Sequence, residues 1–175
     1  IAAFGVIMYV NFTFISVYIG FAIGTTPVIG FNHGADNRTE LKSLMRKCLI
    51  LLAAFSTVMT VLAEIMARPL STIFTGYDPQ LLKMTVRGFR IYSISYLLTG
   101  FNMFSSSLFT ALNNGFISAV LSFFRALVCQ LAAILILPML WELDGIWWSD
   151  VAAEIGAVAV AALFVIKYRK RYHYL

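Results

Sequence analysis

Charge is what this chain has least of. No Asp, Glu, Lys or Arg occurs from Ile1 to Ala35 or from Ile91 to Phe124, and charged residues make up 12% of the 175. Both uncharged runs are too long and too apolar to be the interior of a soluble domain of this size. Cysteine is also scarce: Cys48 and Cys129 fall at different expected membrane depths, which excludes a disulfide framework. The two histidines stand in a loop, His33, and in the tail, His173. No Cys/His zinc spacing, no Gly-rich phosphate loop and no paired acidic motif for magnesium is present. These absences argue against an enzyme and imply neither a metal nor a cofactor. A nucleic-acid partner is not indicated either, because no basic groove with stacking aromatics is visible.

What the chain does have is apolar surface: 61% hydrophobic and 15% aromatic residues, with a mean hydropathy of +0.86. Lipid cannot satisfy backbone N–H and C=O groups, so a chain crossing a hydrocarbon core of about 30 Å does so as helices of about 20 residues or as a closed barrel. The expected fold class is all-α, a polytopic membrane helix bundle whose first partner is the lipid bilayer. Hydropathy predicts five spans, Met8 to Gly30, Cys48 to Phe74, Ile91 to Leu112, Phe116 to Leu140 and Ile146 to Ile166. The chain opens on Ile1 within an apolar run, without a Met or a signal peptide, and reads as a fragment of something longer.

Five spans put the two termini on opposite sides. Arg38, Lys42, Arg46 and Lys47 of the first loop and Lys167, Arg169, Lys170 and Arg171 of the tail place eight basic residues on one side, against Lys83, Arg87 and Arg90 on the other. The richer side is expected to be cytoplasmic, as in a multi-pass protein of the cell membrane. Trp141, Trp147 and Trp148 then fall at the outer boundary, and Tyr168, Tyr172 and Tyr174 at the inner one, as aromatic belts. Asp78 followed by Pro79 reads as an N-cap and first helical residue of a short interfacial helix with Leu82, Val86 and Phe89 on one face. The turn Asn113-Asn114-Gly115 is short enough to make the third and fourth spans antiparallel neighbours.

Polar residues inside the spans are the candidate functional groups. In the third span Ser95, Thr99, Asn102, Ser106, Thr110 and Asn113 recur at helical spacing and form one face. Such a face either lines a water-filled pathway for a substrate or ion, or lets helices pack closely. Thr13, Ser16, Gly20 and Gly24 make a similar small-residue face on the first span, where Gly20 and Gly24 match G-x-x-x-G, plain packing is expected ahead of a dedicated dimer motif, and Pro27 bends or breaks the inner end. On the fourth span Ser118, Ser122, Arg125 and Cys129 share a face, and Asp150 and Glu154 are one turn apart on the fifth. At 1.5 Å per residue from the inner ends, Arg125 lies about 14 Å deep and Glu154 about 18 Å, so the two are expected to meet. A structural ion pair and a proton relay are both open for them. Glu64 and Arg68, spaced i,i+4 in the second span, are expected to form a local pair.

Four segments carry a resemblance. TTPVIGFNHGADN, Thr25 to Asn37, resembles the end of the second helix in a lobe of the multidrug and toxic compound extrusion (MATE) transporters. RPLSTIFTGYD, Arg68 to Asp78, is similar to the loop after that family's ninth helix. SSLFTALNNGFISAVLSFFRALV, Ser106 to Val128, is similar to the hairpin between its tenth and eleventh, and LDGIWWSDVAAE, Leu143 to Glu154, to the entry to its twelfth. The resemblance implies that residues 1–175 are part of a C-terminal lobe, five helices of six, with the lobe's first helix and the N-terminal lobe absent. It also implies alternating-access export of drugs or other amphipathic small molecules, driven by sodium or protons, and a C-terminus in the cytoplasm. One branch of the family carries a coupling carboxylate on the tenth helix. This chain has Thr99 and Asn102 near that position, so coupling is expected in the absent half.

Two other readings compete with a drug antiporter. A related lipid-linked sugar flippase calls for a more cationic cavity than the single Arg125 provides. A non-transporting membrane assembly subunit would use the polar stripes for helix packing alone.

The charge asymmetry gives a direct test. In intact cells, a cysteine introduced by Arg38→Cys in the full protein should resist a membrane-impermeant thiol reagent and react only after permeabilisation. Labelling from outside would reverse the assigned topology.

Overall fold

The structure is a computed structural model that describes residues 2–174. Its order is α1 (Ala2–Gly34), α2 (Arg38–Thr75), α3 (Pro79–Ser93), α4 (Tyr96–Ala111), α5 (Gly115–Phe123), a π-helical segment (Phe124–Cys129) and α6 (Gln130–Tyr172). These helices form five antiparallel rods, because two of the expected spans are divided differently from their hydropathy.

The continuous helical run over 115–172 would be about 87 Å long if straight, far more than a bilayer requires. It folds back instead at Trp141 and Glu142, whose φ/ψ of −127°/17° and 49°/−122° leave the helical region. The reversal is so tight that a Cβ on Gly145 would stand 2.2 Å from the Leu137 carbonyl oxygen, so only glycine fits there. The arm 143–172 then runs back along the π-helical segment, which is the turn expected between the fourth and fifth spans.

The third span extends further outward than hydropathy indicates. Asp78 does cap α3, its carboxylate accepting from the N–H groups of Gln80 and Leu81, with Pro79 at the first position. The helix is not interfacial, however. It packs against α1, α2 and α6 and buries Thr85, Gly88, Phe89, Tyr92 and Ser93, because its small residues form a seam that the Leu82 and Val86 face does not provide. Between α3 and α4 the ladder tightens to i→i+3 bonds, Ile94 N–H to Ile91 and Ser95 N–H to Tyr92, while φ/ψ stay helical, so the rod continues across the break. Tyr18 of α1 donates to the Tyr96 carbonyl at this break, 2.8 Å away. Its ring occupies the space above Gly100, where a Cβ would come within 2.7 Å of it.

Two apolar clusters fill the bundle. One joins Ile29, Leu41, Met45, Phe104, Phe109, Leu112 and Val165; the other joins Ile7, Phe14, Tyr18, Phe89, Tyr92, Tyr96 and Trp147. The outer faces are apolar too: Ile50, Leu51, Val58 and Ile65 of α2 and Leu131, Leu135 and Met139 of α6 are exposed. A surface of this kind is stable only against lipid, and the chain is a membrane protein.

The basic first loop and the tail meet at one end of the bundle. Asn114 Nδ2 donates to the Tyr172 hydroxyl at 2.8 Å, and His33 stacks edge-on against the Tyr172 ring. Tyr174 is buried, donates to the Val165 carbonyl at 2.7 Å, and has its phenol pKa raised by that burial. It belongs to the core and not to an aromatic belt. Trp147 likewise is buried over Gly88, whereas Trp141 and Trp148 are exposed. In the exposed loop Asp36, at φ 49°, takes two hydrogen bonds from Arg38, and these together with the guanidinium charge lower its carboxyl pKa.

Two further expectations change, and one is narrowed. Glu64 does not pair with Arg68; it accepts from Ser93 at 2.6 Å and lies 3.7 Å from Arg90, since α3 packs closely on α2. The small-residue face of α1 packs against nothing among the described residues: Thr13, Ser16, Gly20 and Gly24 are exposed, with open space above both glycines. Of the bend or break expected at Pro27, the break does not occur: α1 runs on to Gly34 while the Thr25 and Thr26 hydroxyls bond carbonyls one turn back.

At Gly88 a Cβ would sit 2.6 Å from the ring of Trp147, a buried side chain. Gly88→Ala should therefore destabilise the full protein by about 1–3 kcal/mol, visible as a lower melting temperature in detergent. An unchanged melting temperature would mean that the α3–α6 seam yields freely.

Candidate functional site

A polar layer separates the two apolar clusters, and its centre is the Glu154 carboxylate. The spacing of Asn102 on α4, Arg125 on the π-helical segment and Glu154 on α6 brings three rods to one point. Arg125 donates to Glu154 Oε1 from Nε at 3.0 Å and from Nη2 at 2.5 Å. Asn102 Nδ2 donates to Glu154 Oε2 and to the Glu154 backbone carbonyl, the latter at 3.1 Å. Side-chain exposure is 7% for Glu154 and 27% for Arg125, so the acid is enclosed and the guanidinium reaches toward open space.

Wider π turns over Phe124–Cys129 decide which groups point where. Ser118 and Ser122, ahead of the bulge, face α4; Arg125, Cys129 and Gln130 face the last arm of α6. The shared face read for Ser118, Ser122, Arg125 and Cys129 is thus divided between two neighbours, a division that α-helical spacing cannot anticipate.

Toward the basic end, the layer opens into a cavity of about 400 Å³ between α1, α4, the π-helical segment and α6. Its polar wall comprises Thr26, Asn102, Ser106, Ser107, Thr110, Ser122 and Arg125; Ile19, Ile23, Met103 and Phe124 are among its apolar lining. Ser106 Oγ lies 2.9 Å from Ser118 Oγ and 2.7 Å from Ser122 Oγ, while Thr110 Oγ1 is 2.8 Å from Ser118 Oγ. This hydroxyl ladder ties α4 to α5. Thr26 and Ser107 make the corresponding link between α1 and α4 at 2.5 Å. Hydroxyls can exchange partners with a bound solute at little cost, which suits a surface that meets varied molecules.

The polar stripe is therefore not uniform. Ser106 and Thr110 open to the cavity and Asn102 borders it from within the protein at 4% exposure, whereas Ser95 and Thr99, at 1% and 3%, do not reach it. Thr99 donates to the Ser95 carbonyl at 3.0 Å, and Asn113 stands in the exposed turn at φ 57°. Gln130, which donates to Asp150 at 3.4 Å, was not singled out from the sequence. Its signal was available: it is an amide inside an apolar run, five residues after Arg125.

A model of the MatE family matches residues 1–136. The multidrug export protein MepA of Staphylococcus haemolyticus is 22% identical over 155 residues, which is 89% of this chain. Among solved structures, an outward-facing multidrug resistance MATE family transporter of the MOP superfamily superposes with a TM-score of 0.89 at 22% identity over 98% of this chain. The bent form of the Vibrio cholerae MATE transporter VcmN gives 0.88 at 19% identity over the same share. The chain spans 34% of the length of MepA and 39% of each of these two transporters.

The unequal burial of the ion pair predicts unequal losses. Arg125→Ala abandons an enclosed carboxylate, while Glu154→Ala leaves a guanidinium that can turn to water in the cavity. Arg125→Ala should cost about 3–5 kcal/mol and Glu154→Ala less, with the double variant recovering part of the loss. Equal and additive losses in thermal melts would show that the two groups are energetically independent.

Proposed function

The chain belongs to the MatE family, and on that premise we propose that it forms most of the C-terminal lobe of an exporter of drugs or other amphipathic small molecules. The observation that carries the reading is the cavity of about 400 Å³, walled on one side by hydroxyls and Arg125 and on the other by aliphatic and aromatic groups. Such a wall offers burial to the apolar part of a solute and exchangeable hydrogen bonds to its polar part. Its open side needs a second lobe to close it, as in transporters that rock two repeats about a central site. The export named for MepA, whose sequence aligns with most of this chain, supports the same reading.

In this proposal sodium or proton entry drives alternating access, the basic end and the C-terminus face the cytoplasm, and residues 1–175 act with an N-terminal lobe. Asn102 and Ser106 contribute directly to the pathway. Ser95 and Thr99 stand behind it, and Arg125 with Glu154 forms the intramembrane ion pair at its head.

Ser106→Leu tests this wall, because it fills the cavity with an apolar side chain and breaks the hydroxyl ladder without touching the ion pair. In cells loaded with a fluorescent cationic dye, export by the full protein should fall toward that of cells lacking it, at unchanged membrane abundance. Undiminished export by a well-expressed Ser106→Leu variant would remove this face from the pathway.

A further inference from the structure

The first turns of α2 have two faces of different chemistry. Leu41, Met45, Cys48 and Leu52 are buried and belong to the apolar cluster that includes Phe104 and Phe109 of α4. On the opposite side of the helix Lys42, Ser43, Arg46, Lys47 and Ile50 line a shallow hollow of about 520 Å³. No acidic side chain lines it, and none of its three cations forms an ion pair among the described residues. Glu40, the nearest acid along the helix, lies outside the hollow, and Asp36 is held by Arg38. Three like charges at successive turns repel one another, and no group of the chain offsets them.

The hollow stands at the edge of the membrane span. From Lys47 to Arg68, the cations that bound the apolar length of α2, the helix rises about 32 Å, close to one hydrocarbon thickness. Ile50, Leu51, Val58 and Ile65 are exposed between them and form a lipid-facing strip. Ile50 belongs both to this strip and to the hollow, so the cations and the hydrocarbon surface are continuous. Nor does α2 contribute to the cavity that a second lobe would close.

Cations without counter-charges, joined to an apolar strip, are complementary to an anionic group carried on hydrocarbon chains. A soluble anion would satisfy the charges alone. We propose that this hollow binds the phosphate headgroup of an anionic phospholipid, with Lys42, Arg46 and Lys47 around the phosphate, the Ser43 hydroxyl among them, and the acyl chains running past Ile50. A lipid held there relieves the repulsion between the cations and fixes the depth of the inner end of α2, whose other face carries Met45 and Cys48 of the core. The site depends on the chain lying in a membrane and not on what it transports.

The test uses the full protein, delipidated in a neutral detergent and titrated at low ionic strength with phosphatidylglycerol or with phosphatidylcholine of the same acyl chains. Phosphatidylglycerol should raise the melting temperature saturably, phosphatidylcholine should not, and high salt should weaken the effect. Removing one cation by Arg46→Gln should lower phosphatidylglycerol affinity about fivefold, and Lys42→Gln, Arg46→Gln and Lys47→Gln together about a hundredfold. The single variant carries the test if the triple one does not fold. A charge-matched control, Lys167→Gln with Arg169→Gln and Lys170→Gln in the tail, separates a local site from the general field of the basic end. Affinity unchanged in the α2 variants overturns the proposal, as does an equal loss in the tail control. Equal stabilisation by phosphatidylcholine overturns it too. Full stabilisation by glycerol phosphate or inorganic phosphate at matched concentration would show a site for free anions and overturn the lipid assignment.

Discussion

The enclosed Glu154 carboxylate is the constraint around which the other elements are arranged. A charge in an apolar bundle is tolerated only when its hydrogen-bonding capacity is filled, and here the donors come from two other rods, Asn102 on α4 and Arg125 on the π-helical segment. That requirement sets the rotation of α4 and the register of the final hairpin. It also explains the π bulge. Ser118 and Ser122 must face α4 while Arg125 faces α6, and an inserted residue turns one face into two.

The remaining polar groups can be ordered by their distance from this carboxylate. Outward, α3 and α4 are joined by a break at which the Ser93 hydroxyl donates to the Arg90 carbonyl and Tyr18 to that of Tyr96, so that two helices behave as one rod. Inward, the hydroxyls of Ser106, Thr110, Ser118 and Ser122 satisfy one another and leave a soft polar wall beside Ile19 and Ile23. The same residue types therefore do two kinds of work. Buried in the layer they hold helices together, and at the cavity they remain free to change partners.

The lobe is stiff where rings meet glycines and open where small residues meet nothing. Trp147 over Gly88 and Tyr18 over Gly100 leave no room for a methyl group, whereas Gly20 and Gly24 look onto empty space along with Ser16 and Thr13. An exposed small-residue face on α1, adjoining the cavity, is the surface along which another helical body can approach closely. Packing inside the lobe does not account for it.

The residues alone were enough to establish an all-α membrane bundle, the turn at Asn113 and Asn114, the reversal after Leu140, the cap at Asp78 and the collection of basic residues at one end. These follow from periodicity, charge and turn chemistry, which act over a few residues or one bilayer thickness. Spacing also marked Arg125 and Glu154 as charges at similar depth. Only the tertiary structure decided that Ser106 opens to a cavity and Asn102 borders it while Ser95 and Thr99 do not reach it, that Trp147 and Tyr174 are core and not belt, and that Glu64 turns to Ser93 and Arg90 instead of Arg68. The physical reason is that a helical stripe specifies a direction around one axis. What stands in that direction depends on neighbouring rods and on a π bulge, and neither leaves a local mark in the sequence.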